Sequence, residues 1–137
     1  MAADPGTVAR RWFEEVWNGR SDTAIDELMD AESHGHVEGG EVRGPEGFRN
    51  MRDMFFSALP DVRIEIEDIL ADGERVAVRW RATGSHTGEG FGFPATRQPV
   101  NVRGTTWLIV RDGRLVEGWD TWNLGGLLES LRAYGGQ

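Results

Sequence analysis

The chain has 137 residues, 39% of them apolar, which suits one compact domain over residues 1–137 and is too short for two ordinary ones. Its 15 Lys+Arg against 23 Asp+Glu leave a formal net charge of −8, a balance that repels phosphate backbones and anionic lipid heads and disfavours nucleic-acid and membrane partners. Cys is absent, so disulfides, thiolate metal sites and cysteine nucleophiles drop out together. No apolar run approaches the ~20 residues that cross a bilayer. The opening MAADPGTVARRWFEEV lacks the apolar stretch of a secretory signal, so the expected location is cytoplasmic.

The first third reads as helix. Asp4-Pro5 supplies an N-cap followed by the residue preferred at the first helical position. Val8, Trp12, Phe13, Val16 and Trp17 then recur at helical spacing, and Asn18-Gly19, which tolerate positive φ, end the element. Ser21 caps a second, short helix that carries Ile25, Leu28 and Met29. A third starts at Gly44-Pro45 and aligns Phe48, Met51, Phe55 and Leu59, until Pro60 stops it.

From Asp61 the apolar period changes to two. Val62, Ile64 and Ile66 alternate with charged residues, and Ile69 breaks the alternation, which predicts a bulge near Asp68. Asp72-Gly73 is a hairpin signal leading to a strand from Arg75 to His86, with Val76, Val78 and Trp80 on one face. A glycine-rich loop from Gly84 to Pro99 follows; Val100, Val102, Thr106, Leu108 and Val110 then resume the alternation. Asp112-Gly113 turns the chain into a last strand, Leu115 to Trp122, followed by a short apolar tail, Leu127, Leu128 and Leu131. Helices first and an antiparallel meander after describe an α+β fold with helices on one face of the sheet. Strands of roughly 10 residues, against a usual 5–6, twist and curl, so the helices close a cone-shaped pocket.

Among residues able to do chemistry, Asp120 stands out. Trp107, Trp119 and Trp122 surround it in sequence or across the Asp112-Gly113 hairpin, and Thr105 or Thr106 lies opposite. Strand alternation turns Asp120 and Trp122 to one face, Glu117 and Trp119 to the other. A carboxylate among indoles has a raised pKa and can take a proton from carbon near neutral pH, whereas a cap or a surface ion pair is its plain alternative. His86 ends a strand where the glycine-rich loop begins and is a candidate proton donor, as is His34. Ser33-His34-Gly35-His36 has two imidazoles at i, i+2, which would point the same way if the segment were a strand, but a third metal ligand would have to come from His86 or a carboxylate, and no metal is expected. No P-loop, dinucleotide fingerprint or G-x-S-x-G occurs, and no cofactor is expected.

Several stretches combine in order along the chain. They are Phe13 to Asn18, His34-Gly35, Arg43-Gly44-Pro45-Glu46-Gly47-Phe48, Leu59-Pro60-Asp61 and Ala71 to Ala77. Gly84-Ser85-His86-Thr87-Gly88-Glu89, Arg111 to Asp120, and Leu124-Gly125-Gly126-Leu127-Leu128 complete the set. The ordered set resembles the SnoaL-like polyketide cyclase (ester cyclase) family of the nuclear-transport-factor-2-like superfamily. The resemblance implies a curved antiparallel sheet closed by helices over a deep apolar cone, commonly in a homodimer. It also implies cofactor-independent intramolecular aldol ring closure on planar, aromatic polyketide esters, so the expected partner is a small hydrophobic or aromatic ligand. The family's base matches Asp120. Its partner histidine matches Thr106, which cannot act as a general acid near pH 7, so His86 or His34 would donate the proton, or the reaction differs. Asn123 stands where many relatives carry Asp. The expected substrate contacts are Trp107, Trp122, Trp17, Phe13, Phe55, Thr106 and Asn123. Two other reactions use this fold. Isomerisation wants a pocket tyrosine, and Tyr134 is the only one; epoxide hydrolysis wants an arginine such as Arg79, Arg81 or Arg103 beside Asp120. A non-catalytic binding or dimerisation module is the third alternative.

Overall fold

A computed structural model describes residues 3–135 of the chain. Helix α1 (Pro5–Arg11) starts as its sequence predicts: the Asp4 carboxylate accepts from the Gly6 and Thr7 amides at 3.0 and 3.3 Å, with Pro5 in the first turn. It passes without a break into a π-helical segment, Trp12–Asn18, closed by the Gly19 amide donating to the Glu14 carbonyl at 2.9 Å. The left-handed residue at its end is Arg20 (φ 55°), whereas Gly19 stays right-handed. Asn18 does something else. Its amide bonds both the carbonyl and the N–H of Ile64 at 2.7 Å, pinning the helix end to the sheet.

Helix α2 (Asp22–Leu28) is capped by Ser21, whose Oγ accepts from the Ala24 amide. It is shorter than expected, because Met29 already belongs to strand β1 (Met29–Val37). Strand β2 (Gly40–Arg43) follows, then α3 (Gly44–Ala58), which starts at Gly44-Pro45 and ends before Pro60 as read. Strands β3 (Arg63–Asp72), β4 (Arg75–Ser85), β5 (Pro99–Arg111) and β6 (Arg114–Thr121) form the meander. The terminal apolar stretch is a helix, α4 (Leu124–Gly135), rather than an irregular tail. Its Leu131 packs with Ala58, Leu59 and Val100.

The six strands lie in the order β2-β1-β6-β5-β4-β3. All pairs are antiparallel except β1 with β6, so the sheet is mixed rather than the all-antiparallel one expected. Strands β1 and β2 escaped the reading because their polar segments, with no alternating apolar set, carry no period-two signal. The predicted bulge is present: the β3–β4 register shifts between Ile66 and Asp68. One extra residue there keeps Ile69, like Ile64 and Ile66, on the core side. Asp112 and Gly113 both adopt positive φ (53° and 77°), the geometry of a tight hairpin whose twist matches the strands. The inner face carries Val76, Val78, Trp80, Leu108, Val110 and Leu115, all buried against Val8, Trp12, Phe13 and Val16 of the helices. Among the described residues no helix is long and apolar enough to cross a membrane.

Candidate active site

Register decides which side chains meet. Trp80 of β4 lies opposite Gly104 of β5, and Thr106 of β5 lies opposite Asp120 of β6. A Cβ on Gly104 would sit 2.4 Å from the Trp80 ring, so glycine there lets the indole lie across β5. The indole Nε1–H reaches Thr106 Oγ1 at 2.9 Å, and Thr106 Oγ1 lies 2.7 Å from Asp120 Oδ1. An indole N–H only donates, so the Thr106 oxygen accepts from Trp80 and its single hydrogen goes to Asp120. The result is a directed chain, Trp80 to Thr106 to Asp120.

Burial raises the Asp120 carboxyl to about 6; the Thr106 hydrogen bond pulls it back and the nearby negative charge of Glu38 adds to the rise. Desolvation dominates, as it does for a carboxyl held in an apolar setting. Such a group is ionised at neutral pH yet close enough to it to accept and return a proton.

Asp120 and Thr106 open on a hollow between the inner face of the sheet, the π-helical segment, helix α3 and Leu127 of α4. Its walls include Phe13, Trp17, Phe55, Trp80 and Trp122. Trp17 contacts Phe48, Phe55 and Phe56 edge-on or tilted, and Trp122 meets Phe55 and Trp80 at centroid distances of 5.9 and 6.2 Å. Phe91, from the glycine-rich loop, stands against Phe55 at 5.8 Å. The π-helical pitch matters here. Its i→i+5 bonding aligns residues five apart, which brings Trp12 and Trp17 to the same wall. The polar side chains of the lining are Glu38, Thr106 and Asp120, two acids and a hydroxyl, besides the indole N–H groups.

Of the residues singled out in the sequence, the fold therefore gathers Asp120, Thr106, Trp122, Trp17, Phe13 and Phe55 around one hollow. Others fall elsewhere. His86 is fully buried but does not line it: its Nδ1 accepts from the Thr96 amide at 3.1 Å, and its ring packs on Phe91 and Phe93. Burial lowers its pKa, keeping it neutral. His34 projects from the opposite face of the sheet, since it pairs in register with Glu117 of β6, and Glu117 stands an odd number of strand steps from Asp120. Trp107, 44% exposed and paired with Trp119, is also on that outer face. Asn123 caps α4, its Oδ1 accepting from the Gly126 amide at 2.9 Å. Tyr134 is exposed, and Arg79, Arg81 and Arg103 pair across the outer face, so no tyrosine or arginine enters the hollow. Trp80 and Glu38 were missed as site residues. Trp80 read only as core, because its diagonal reach to Thr106, which lies opposite Val78, depends on a β4–β5 register that the long intervening loop does not fix; Glu38 follows the end of the strand that the sequence did not announce.

The family model for the SnoaL-like polyketide cyclases matches residues 7–131. IdmH from Streptomyces antibioticus, described as a polyketide cyclase, is 26% identical; the match covers 95% of this chain and 99% of that one, with a TM-score of 0.81. AclR from Streptomyces galilaeus, described as a hydroxylase, is 28% identical over 92% of this chain and 83% of its own, with a TM-score of 0.79. A SnoaL-like polyketide cyclase by description, from Jannaschia sp. CCS1, shares the fold at a TM-score of 0.85 with 23% identity, over 93% of this chain and 90% of that one. No functionally curated protein matches the chain.

Proposed function

The chain belongs to the SnoaL-like polyketide cyclase family, and from that premise we propose that Asp120 is the general base of a cyclase acting on a flat, carbonyl-rich, uncharged substrate. The observation that carries the reading is the Trp80–Thr106–Asp120 chain ending at an apolar hollow. Thr106 occupies one carboxylate oxygen and fixes the group's orientation, which leaves the other oxygen for the guest. Asp120 takes a proton from a carbon flanked by carbonyls. The enolate charge spreads over the substrate's own carbonyls, and its carbon attacks a second carbonyl of the same molecule to form the new C–C bond. The resulting alkoxide recovers the proton from Asp120, so one carboxyl serves both halves. This explains how a threonine can stand in the histidine position: its task is orientation, not proton donation.

The wall composition argues for the substrate class. Indoles and phenyl rings stack on conjugated rings, whereas two acids without a facing cation repel a carboxylate. An ester suits the hollow and a free acid does not. Asp120→Asn keeps the acceptor for Thr106 and removes the base; turnover on a polyketide ester should fall by roughly 10²–10⁴. Unchanged turnover would discard the mechanism.

We also infer a homodimer through the outer face of the sheet. Trp119, Trp107, Ala77 and Leu70 lie side by side in register across four strands, and Trp107 and Leu70 are exposed at 44% and 72%. A contiguous apolar stripe of this kind marks an interaction surface. Sedimentation of Trp107→Glu should give monomers where the native chain gives dimers.

A further inference from the structure

On the outer face, away from Asp120, β1, β2 and β6 bring four chemically matched groups together. His34 and His36 alternate with Gly35 and so project on the same side, their rings 4.2 Å apart. Glu41 lies directly opposite His36 on β2, which returns through Gly39 and Gly40, both at positive φ. Glu117 of β6 approaches His36 from the other flank. We propose that His34, His36 and Glu41 bind one divalent transition-metal ion of the zinc class, with Glu117 supporting His36 from behind.

The distances fit such an ion. Glu41 Oε2 stands 3.2 Å from His34 Nε2, and Glu41 Oε1 stands 3.3 Å from His36 Nδ1. Zinc bonds of 2.0–2.2 Å put neighbouring tetrahedral ligands roughly 3.4 Å apart. One ligand atom from each of the three residues falls within 4.8 Å of the others, a span that a small side-chain adjustment closes.

Proton bookkeeping points the same way. His36 Nε2 is 2.8 Å from Glu117 Oε2, and a carboxylate only accepts, so Nε2 carries the hydrogen and a neutral His36 presents a bare lone pair at Nδ1. That lone pair faces the Glu41 carboxylate at 3.3 Å, and two acceptors facing one another require a cation or a proton between them. His34 Nε2 is buried at the atom level with no hydrogen-bond partner, although Glu41 is near. A single dication held between the three side chains answers both needs. Glu117 to His36 to metal is then the carboxylate–histidine–metal arrangement that fixes a ligating imidazole's tautomer and raises its basicity. Two imidazoles and one carboxylate suit zinc, cobalt or nickel better than magnesium or calcium.

The ligand side chains are 22%, 30% and 57% exposed, so an ion can enter and water can complete its coordination. The site ties the four-residue edge strand β2 to β1, and through Glu117 to β6. Its role is structural, because the sheet itself separates it from the hollow.

The test titrates the untagged, chelator-treated full chain with Zn(II) by calorimetry and with Co(II) by visible absorption. The expected result is one ion per chain, a four- or five-coordinate cobalt spectrum, and a thermal midpoint that rises with zinc. Glu41→Gln, isosteric on an exposed edge strand, and His36→Gln should each weaken binding at least tenfold. Glu117→Gln should weaken it about 10-fold. Asp120→Asn should leave it unchanged. Absence of binding at millimolar zinc, or binding that survives both His36→Gln and Glu41→Gln with circular dichroism unaltered, would overturn the site.

Discussion

Thr106 and Trp107 are chain neighbours, as are Trp119 and Asp120, yet each pair is divided by the sheet. Thr106 and Asp120 share a hydrogen bond over an apolar hollow, while Trp107 and Trp119 face outward beside ion pairs and imidazoles. Nothing in the side chains themselves explains this. Tryptophans occur on both faces, and so do carboxylates: Asp120 is pushed up by burial, whereas Glu74, on the exposed rim beside Arg111, is held below the usual range by that guanidinium. Strand parity assigns the environment, and environment assigns the chemistry. A one-residue slip between β5 and β6 would exchange the two sets completely.

The comparison can be broken first at Asp120. Beside the expected 10²–10⁴ loss of turnover in Asp120→Asn, kcat/KM of the native chain should decline as pH falls through about 6, where the carboxyl protonates. A flat profile from pH 5 to 8 would detach activity from the inner face. Next in size is packing: Phe13→Ala, in the hollow's wall and 3% exposed, should cost about 3–5 kcal/mol in denaturant unfolding.

The third prediction inverts the usual sign. Folded Asp120 holds its proton more tightly than an ordinary carboxyl of 3.8, so its contribution favours folding below that value and is lost as pH rises through about 6. At pH 7 the strained carboxylate costs up to about 3 kcal/mol. Asp120→Asn should therefore unfold at higher denaturant at pH 7, by about 1–3 kcal/mol, with the gain gone near pH 4. Trp80→Phe keeps an aromatic ring but withdraws the donor from the buried Thr106 oxygen, a loss of about 1–3 kcal/mol that should also lower turnover, since Asp120 loses its fixed orientation. On the outer face, Arg79→Ala removes an exposed 3.7 Å contact to Glu67 and should change stability by less than about 0.5 kcal/mol.

Much of the inner face was legible in advance. The two Asp-Gly turns set the β3–β4 and β5–β6 hairpins, alternation set their faces, and Thr106 fell opposite Asp120 as one of two expected registers. The parallel partner β1 was not legible, because its residues serve two half-exposed faces at the sheet margin and need no apolar period. That omission misplaced His34 and hid Glu38 and Glu41. His86 and Trp107 misled for another reason: nearness in sequence to a pocket rim does not say on which side of the backbone a side chain leaves. Asn123 carried a plain capping signal, a short polar residue before an apolar run, which was outweighed by its position in a family pattern.

The π-helical stretch Trp12–Asn18 holds one residue more than an ordinary helix would need to span the same rise. Excising Glu14, an exposed position, would let the chain relax to α pitch with the two wall indoles four apart instead of five, still stacked on one side. Here a shortened chain should fold as readily as the parent and still take up an aromatic guest, which is the opposite of what deletion inside a helix ordinarily does.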